Sequence, residues 1–224
     1  MKIGIMIAIE RELKAFLENG SEVTEMIVGK RKIYRTEMYG HELYAVQSGY
    51  GPIDAAAGTQ LLITATECEI VMNFGVVGAI VPGLKVEELF LAKAVTHYDY
   101  DVSPIDPVKP RQYEEFEDEF MPLDEGLIRH VKRVKPDIRE VNVASGGRFV
   151  EKREDKENLA AMGCQIVDME LAAIARICFL NQVKCLSIKC ISDTYEGDGG
   201  DFNANVIRSA NVAFEVIRSV LQSL

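Results

Sequence analysis

The chain has 224 residues and is acidic, with 35 Asp and Glu residues against 25 Lys and Arg residues and a formal net charge of −10. Its basic residues are scattered and form no long tract. Nucleic acid and anionic membranes both attract concentrated positive charge, so this pattern argues against either as a partner. The length suits one α/β domain over residues 1–224.

The first nine residues are mostly apolar and are followed at once by the charged triplet 10–12. They are too few to span a bilayer and lack a signal-peptide cleavage pattern, which predicts a central strand in a cytoplasmic protein. A helix over residues 10–18 should follow, with Glu10 and Glu12 in its first turn. The helix dipole favours acidic residues there, and for either glutamate taken alone this explanation is preferred to catalysis.

Further elements alternate along the chain. Two β-like runs, 32–39 and 42–47, predict a hairpin, and the small residues of 53–66 predict a helix packed closely on a sheet. A buried strand over 70–74 should end in a glycine-bearing turn at 75–79, which could offer backbone N–H groups to an anion or a sugar. A turn without a ligand is the simpler interpretation, because the turn lacks the lysine of a P-loop.

The second half of the chain continues the alternation. It predicts a strand (88–98), a long acidic loop (99–122), a helix (124–134), a strand (141–145), a turn (146–150), a helix (152–162), a strand near 165–167, a helix from about 170, a strand (185–191), a flexible segment (194–201) and a last helix (203–224). This order predicts an α/β fold with a central mixed, twisted β-sheet flanked by helices. The five cysteines form no CxxC pair and should be reduced core residues.

Carboxylates that follow predicted strands are the candidates for chemistry. In α/β folds the carboxyl ends of strands face the ligand crevice, so we expect Glu170 and Asp193 to reach one pocket from neighbouring strands. The three histidines are far apart and no GxSxG motif is present, so neither a zinc site nor a serine nucleophile is predicted. Several carboxylates with few cations suit a reaction that develops positive charge, such as cleavage of a glycosidic bond.

Three stretches of the sequence, residues 3–12, 167–170 and 191–193, resemble the 5′-methylthioadenosine/S-adenosylhomocysteine nucleosidases. That family belongs to the nucleoside phosphorylase superfamily, and the resemblance runs from Met1 to the last helix. It implies a nucleoside phosphorylase-like fold and hydrolysis of a purine nucleoside, with neither cofactor nor metal. It also implies a homodimer in which the partner contributes part of the pocket for the 5′ substituent.

The resemblance assigns the catalytic roles to two carboxylates. Asp193 would be the general acid that protonates N7 of the departing adenine, with Ser192 holding its orientation. Glu12 would position and deprotonate the attacking water. A purine leaves easily only once it is protonated, and general acid–base catalysis contributes roughly 10²–10⁴-fold to a rate.

The substrate-binding roles fall to a second group of residues. By the resemblance, Glu170 would accept hydrogen bonds from the ribose 2′ and 3′ hydroxyls, and Met169 would pack against the ribose. Phe149 would stack on the base, the backbone of Val150 would hydrogen-bond the purine edge, and Phe202 would line the pocket.

Two positions depart from the family pattern. Val76, which is also assigned to the substrate-binding residues, stands where the nucleosidases usually have a serine, and Gly147 stands where they usually have an aspartate. Alternatives to the nucleosidase are therefore a purine nucleoside phosphorylase, a futalosine hydrolase-like relative, and a nucleoside-binding protein without catalysis. No arginine matches a phosphate-holding position, and this favours hydrolysis over phosphorolysis.

Overall fold

The computed structural model describes residues 1–224 and contains one ten-stranded sheet and six helices. The strands are β1 (Lys2–Ile7), β2 (Ser21–Val28), β3 (Arg31–Met38), β4 (His41–Gln47), β5 (Ile70–Ala79), β6 (Leu89–His97), β7 (Met121–Pro122), β8 (Arg139–Ser145), β9 (Ile166–Asp168) and β10 (Lys184–Asp193). The helices are α1 (Glu10–Asn19), α2 (Pro52–Thr66), α3 (Glu125–Val134), α4 (Arg153–Ala161), α5 (Leu171–Leu180) and α6 (Gly199–Leu221).

Strand β5 lies at the centre of the sheet. It runs parallel to β1 and β10 and antiparallel to β9. From β10 the pairing continues through β6 and β8 to β9, which returns to β5, so five strands close into a ring. Strands β4, β3 and β2 extend the sheet outward from β1. The predicted α/β class and the mixed sheet are confirmed.

The sheet is buried on both faces because successive side chains of a strand point to opposite sides. In β5, Val71 joins an apolar cluster that includes residues of α2 and α5, whereas Met72 joins a second cluster that includes residues of α1 and α6. In the second cluster Phe16 of α1 meets Phe214 of α6 edge to face, with ring centroids 6.1 Å apart. The two helical layers fix the ends of β1, β5 and β10 relative to one another.

Two predictions about the strands were wrong. Residues 75–79 are not a turn, because β5 continues through them and Val76 and Val77 pair with Cys190 and Ile191 of β10. The strands that precede Glu170 and Asp193 are not neighbours either, since β5 lies between β9 and β10. The backbone N–H groups of residues 75–79 are therefore largely committed to the sheet.

Other boundaries differ in ways that have a local cause. Helix α6 begins at Gly199, inside the segment expected to be flexible, because the Asp198 carboxylate accepts hydrogen bonds from the N–H groups of Gly200 (2.7 Å) and Asp201 (3.3 Å) and caps the helix. Strand β2 was not predicted, since as an edge strand it is largely exposed and lacks an apolar face. The five cysteines are buried, free thiols. None of the helices has the length and apolar character needed to cross a membrane.

Candidate active site

A cavity of about 280 Å³ lies where β1, β5, β9 and β10 end, and its lining is mainly apolar. This position is the ligand crevice expected of an α/β sheet. The structure brings every candidate residue to this cavity: Glu12, Val76, Phe149, Val150, Met169, Glu170, Ser192, Asp193 and Phe202.

Glu12 is buried on the first turn of α1 and is held by backbone groups. Its carboxylate accepts hydrogen bonds from the N–H of Val76 at 2.9 Å and from those of Ala8 and Ile9 at 3.3 Å each. Burial nevertheless raises the pKa of Glu12, while these hydrogen bonds and the charge of Lys189 oppose the rise. The result is a fixed, unusually basic carboxylate.

Asp193 is buried at the end of β10. Its Oδ1 accepts a hydrogen bond of 2.8 Å from the hydroxyl of Ser192, whose neighbouring position was expected to orient it. Burial raises the pKa of Asp193, and the Ser192 hydrogen bond and the charge of Lys156 lower it in part. A carboxyl group in this setting is more readily protonated near neutral pH than a solvated aspartate.

Two glycines of β5 make room for these carboxylates. A Cβ atom added at Gly75 would lie 2.6 Å from Oε1 of Glu12, and one added at Gly78 would lie 2.7 Å from Oδ2 of Asp193. The two glycines are three residues apart, or roughly 10 Å along the strand. In the sequence these glycines predicted a turn, but in the folded chain they are the places where a side chain would displace Glu12 or Asp193.

Glu170 precedes α5 without capping it. The first N–H groups of α5 are satisfied instead by the carboxylate of Asp168, which accepts from Leu171 at 3.2 Å, and by the hydroxyl of Ser145, which accepts from Ala172 at 3.0 Å. The Glu170 carboxylate is thereby left for the cavity, where it accepts a 2.8 Å hydrogen bond from the N–H of Gly51. Burial, with the nearby charge of Asp168 second, raises the pKa of Glu170 to about 7.

One buried ion pair beside the site was missed by the sequence analysis. Lys189 Nζ lies 2.6 Å from Oδ2 of Asp168, and both side chains are almost fully buried. The charge of Lys189 lowers the pKa values of Glu12 and Glu170. A lysine inside the apolar run of β10 is itself an anomaly, because a buried cation needs a partner. A lysine in this apolar run is the feature of the sequence from which the ion pair could have been predicted.

The outer part of the cavity is aromatic and more exposed. Phe149 and Phe202 meet edge to face with ring centroids 5.9 Å apart. The guanidinium of Arg11 lies 5.2 Å from the centroid of Phe202, and Tyr50, which the sequence analysis did not single out, also lines the opening. Flat apolar faces at the mouth and carboxylates at the base suit a ligand with an aromatic part and a hydroxylated part.

The fold and the cavity together define an α/β protein with a cleft that holds buried carboxylates and suits a small molecule, at the carboxyl ends of its strands. The chain belongs to the phosphorylase superfamily, whose family model matches residues 2–222. It is 26% identical to the 5′-methylthioadenosine/S-adenosylhomocysteine nucleosidase of Actinobacillus succinogenes, with 100% of both chains covered. It is 27% identical to the aminodeoxyfutalosine nucleosidase of Helicobacter pylori, with 100% of this chain and 99% of the relative covered.

A solved structure shows the same likeness in three dimensions. The 5′-methylthioadenosine/S-adenosylhomocysteine nucleosidase of Helicobacter pylori matches with a TM-score of 0.94 and 26% identity, covering 100% of this chain and 99% of that one. That protein was solved with a compound that joins an aminopyrrolopyrimidine to a hydroxypyrrolidine bearing a thioether.

Proposed function

We propose that this protein is a purine nucleosidase that hydrolyses the N-glycosidic bond of 5′-methylthioadenosine and S-adenosylhomocysteine. The observation that carries the proposal is the convergence of three buried carboxylates, Glu12, Glu170 and Asp193, on one largely apolar cavity. Membership of the phosphorylase superfamily and full-length similarity to nucleosidases support the same reaction. No cofactor or metal is needed for it.

In the proposed reaction Asp193 and Glu12 act as acid and base. Asp193 gives its proton to N7 of the adenine, the C1′–N9 bond breaks, and its electron pair leaves with the base. A water oxygen bonds to C1′ and loses a proton to Glu12. Buried carboxyl groups with raised pKa values suit both transfers, because one must hold a proton before the reaction and the other must accept one during it.

The remaining candidates would position the nucleoside. Glu170 accepts hydrogen bonds from the ribose hydroxyls with Met169 against the sugar, and its ionised form also favours the electron-poor sugar ring of the transition state. Phe149 stacks on the base, the backbone of Val150 binds its edge, and Phe202 covers it. Val76 acts through its backbone, since its N–H donates to Glu12 while its side chain offers no hydroxyl.

Water is favoured over phosphate as the nucleophile. Arg148, the one cation among the residues that line the cavity, is paired with Asp155 at 2.7 Å, and Lys189 beside the cavity is paired with Asp168. Phosphate would meet Glu12 and Glu170, and neither of these paired cations is free to offset the repulsion. A phosphorolytic reaction is thus the less favoured alternative.

A second candidate substrate is aminodeoxyfutalosine. The relative from Helicobacter pylori that is named for this activity matches as well as those named for methylthioadenosine, at 27% identity over the whole chain. Both substrates would present a purine to Phe149 and a ribose to Glu170, and they would differ at the 5′ substituent. The part of the cavity that receives the 5′ substituent therefore determines which of the two substrates is preferred.

We propose further that the protein is a cytoplasmic homodimer that serves methionine salvage. Support for the dimer comes from large apolar side chains left exposed, among them Tyr50 at the cavity mouth and Ile53 at the start of α2. A partner that covered them would bury apolar area and narrow the opening. Sedimentation equilibrium should give twice the chain mass, and a monomer at micromolar concentration would contradict the dimer.

The experiment that tests the function is an incubation with methylthioadenosine, with and without phosphate, followed by chromatography of the products. We expect free adenine and free methylthioribose in both cases. A sugar phosphate formed only with phosphate present would identify a phosphorylase instead. A higher kcat/KM for aminodeoxyfutalosine would select the second substrate, and tight nucleoside binding without base release over hours would identify a binding protein.

A further inference from the structure

A second buried lysine, Lys156, has no part in the reaction proposed above. It lies on α4 and is 1% exposed. Its ammonium group donates three hydrogen bonds, to the carbonyl oxygens of Thr194 (3.1 Å), Tyr195 (2.9 Å) and Gly197 (3.1 Å). All three acceptors belong to the segment that directly follows Asp193, and no carboxylate lies within ion-pair distance of the ammonium.

A buried ammonium group destabilises the folded protein unless all of its N–H donors are hydrogen-bonded. Taking an ammonium group out of water carries a large desolvation cost, and hydrogen bonds to carbonyl oxygens offset part of that cost. A lysine has three donors on one compact charged group, and here all three are used on a single backbone segment. Lys156 therefore fastens residues 194–197 to α4 at one point.

The same ammonium lies close enough to Asp193 to act on its charge. The charged groups that act on Asp193 are Lys156 from α4 and Asp201 from α6, and the Ser192 hydroxyl hydrogen-bonds to it. On the side of β5 it meets Gly78, which carries no charge. Lys156 is thus the one cation among these neighbours, and it favours the carboxylate that remains after Asp193 has given up its proton.

We propose that Lys156 is a positioning residue for the reaction, which fixes the backbone behind Asp193 and supplies the positive charge that stabilises its carboxylate. The proposal rests on the proposed function, in which Asp193 is the general acid. It also links the acid to the mouth of the cavity, because the fastened segment leads through Asp198 into α6, which carries Phe202.

The test compares pH–rate profiles of wild-type protein and three variants on methylthioadenosine. Lys156→Gln keeps hydrogen-bond donors but loses the charge, Lys156→Arg keeps the charge, and Lys152→Met removes an exposed lysine next to the same helix. Without the cation the pKa of Asp193 rises, so the acid stays protonated to higher pH. In Lys156→Gln we expect the alkaline fall of kcat to shift to higher pH by about one unit. This is the lower end of the pKa shift that a nearby opposite charge produces.

The variants separate charge from packing. Lys156→Arg should keep the wild-type limb even if kcat falls about tenfold through misplacement of the segment, and Lys152→Met should match wild type throughout. A merely structural role would lower kcat at every pH without moving the limb. An unmoved limb in Lys156→Gln would therefore overturn the assignment of a charge effect.

Hydrogen exchange of the Gly197 amide, which donates to the carbonyl of Thr194 at 3.0 Å, gives a readout that does not depend on activity. We expect this amide to exchange at least several-fold faster in Lys156→Gln than in wild type, while the amides of β5 keep their protection. If wild-type protein released no base, the proposed function would fail and this measurement would decide the anchoring role by itself. Equal exchange in the two proteins would overturn it.

Discussion

The base and the mouth of the cavity are built differently. At the base, Glu12 and Asp193 are 3% and 2% exposed and are held by backbone N–H groups, a neighbouring hydroxyl and the ends of central strands. At the mouth, Phe149 and Tyr50 are 43% and 59% exposed and lie on connecting segments. The groups proposed to move protons are thus held in place by the protein itself, whereas the groups proposed to hold the purine are more exposed to solvent and have fewer protein contacts to fix them. Mutations at the base of the cavity should therefore lower kcat, and mutations at its mouth should raise KM.

The largest effect is expected from the carboxylates at the base. Asp193→Asn removes the proton that the departing purine must receive, and Glu12→Gln removes the group that accepts a proton from water. Each substitution should therefore lower kcat by roughly 10²–10⁴-fold. KM should change little, because neither group is proposed to bind the ground state strongly. Steady-state kinetics on methylthioadenosine measure both parameters, with the exposed Asp137→Asn as the control. A near-native rate for Asp193→Asn would contradict its assignment as the general acid.

A smaller loss should follow when the carboxylates are displaced rather than removed. Gly75→Ala and Gly78→Ala place a methyl group less than 3 Å from the oxygens of Glu12 and Asp193. Since the atoms in conflict are the ends of side chains, the carboxylates should move and the strand should stay. We expect kcat to fall by about 10- to 100-fold, the usual cost of a misplacement of about 1 Å, with the midpoint of thermal unfolding nearly unchanged.

The control for this pair is Gly199→Ala. An added methyl group at Gly199 meets no atom within 4 Å, and the residue lies at the first position of α6. Its kinetics should match those of wild type. Loss of stability without loss of kcat in the β5 variants would show that the two glycines serve packing instead.

The sequence predicted the base of the cavity better than its surroundings, for physical reasons. Glu12, Glu170 and Asp193 follow strands, and the ends of the strands converge in an α/β sheet whatever the loops do. The pairing order is not local, so the position of β5 between β9 and β10 could not be predicted from the strands themselves. Gly75 and Gly78 suggested a turn because a glycine weakens a strand, and only the folded chain shows the carboxylates that occupy the space. The buried partners of Lys156 and Lys189 are likewise separated from them by 21 or more positions in the sequence.

The mouth should respond to mutation through binding. Phe149→Ala removes the aromatic face proposed to stack on the purine, and base–aromatic stacking is worth roughly 1–3 kcal/mol. We therefore expect KM to rise by about 5- to 150-fold and kcat to fall less. Phe179→Ala, which removes a comparably exposed ring on α5 outside the cavity, is the control. A loss confined to kcat would place Phe149 with the base of the cavity and remove the distinction between the two regions.

The last expected effect is on stability rather than on catalysis, because the buried Glu170 at the base of the cavity destabilises the folded state as pH rises. Burial raises the pKa of Glu170 from an ordinary 4.5 to about 7. Below pH 4.5 the group is protonated in the folded and unfolded states alike. Between pH 4.5 and 7 the folded protein keeps a proton that the unfolded chain releases, so its stability falls by roughly 1.4 kcal/mol per pH unit, and above pH 7 the loss is complete.

Glu170→Gln does not titrate and retains an oxygen for the N–H of Gly51, so it should escape this loss. The free energy of unfolding of the variant minus that of wild type, measured by urea denaturation, should increase as pH rises from 4.5 to 7 and level off above it. The raised pKa values of Glu12 and Asp193 act in both proteins and largely cancel in the difference. Parallel curves would mean that Glu170 ionises in the folded protein as easily as in solution, and that this carboxylate belongs with the solvated mouth of the cavity.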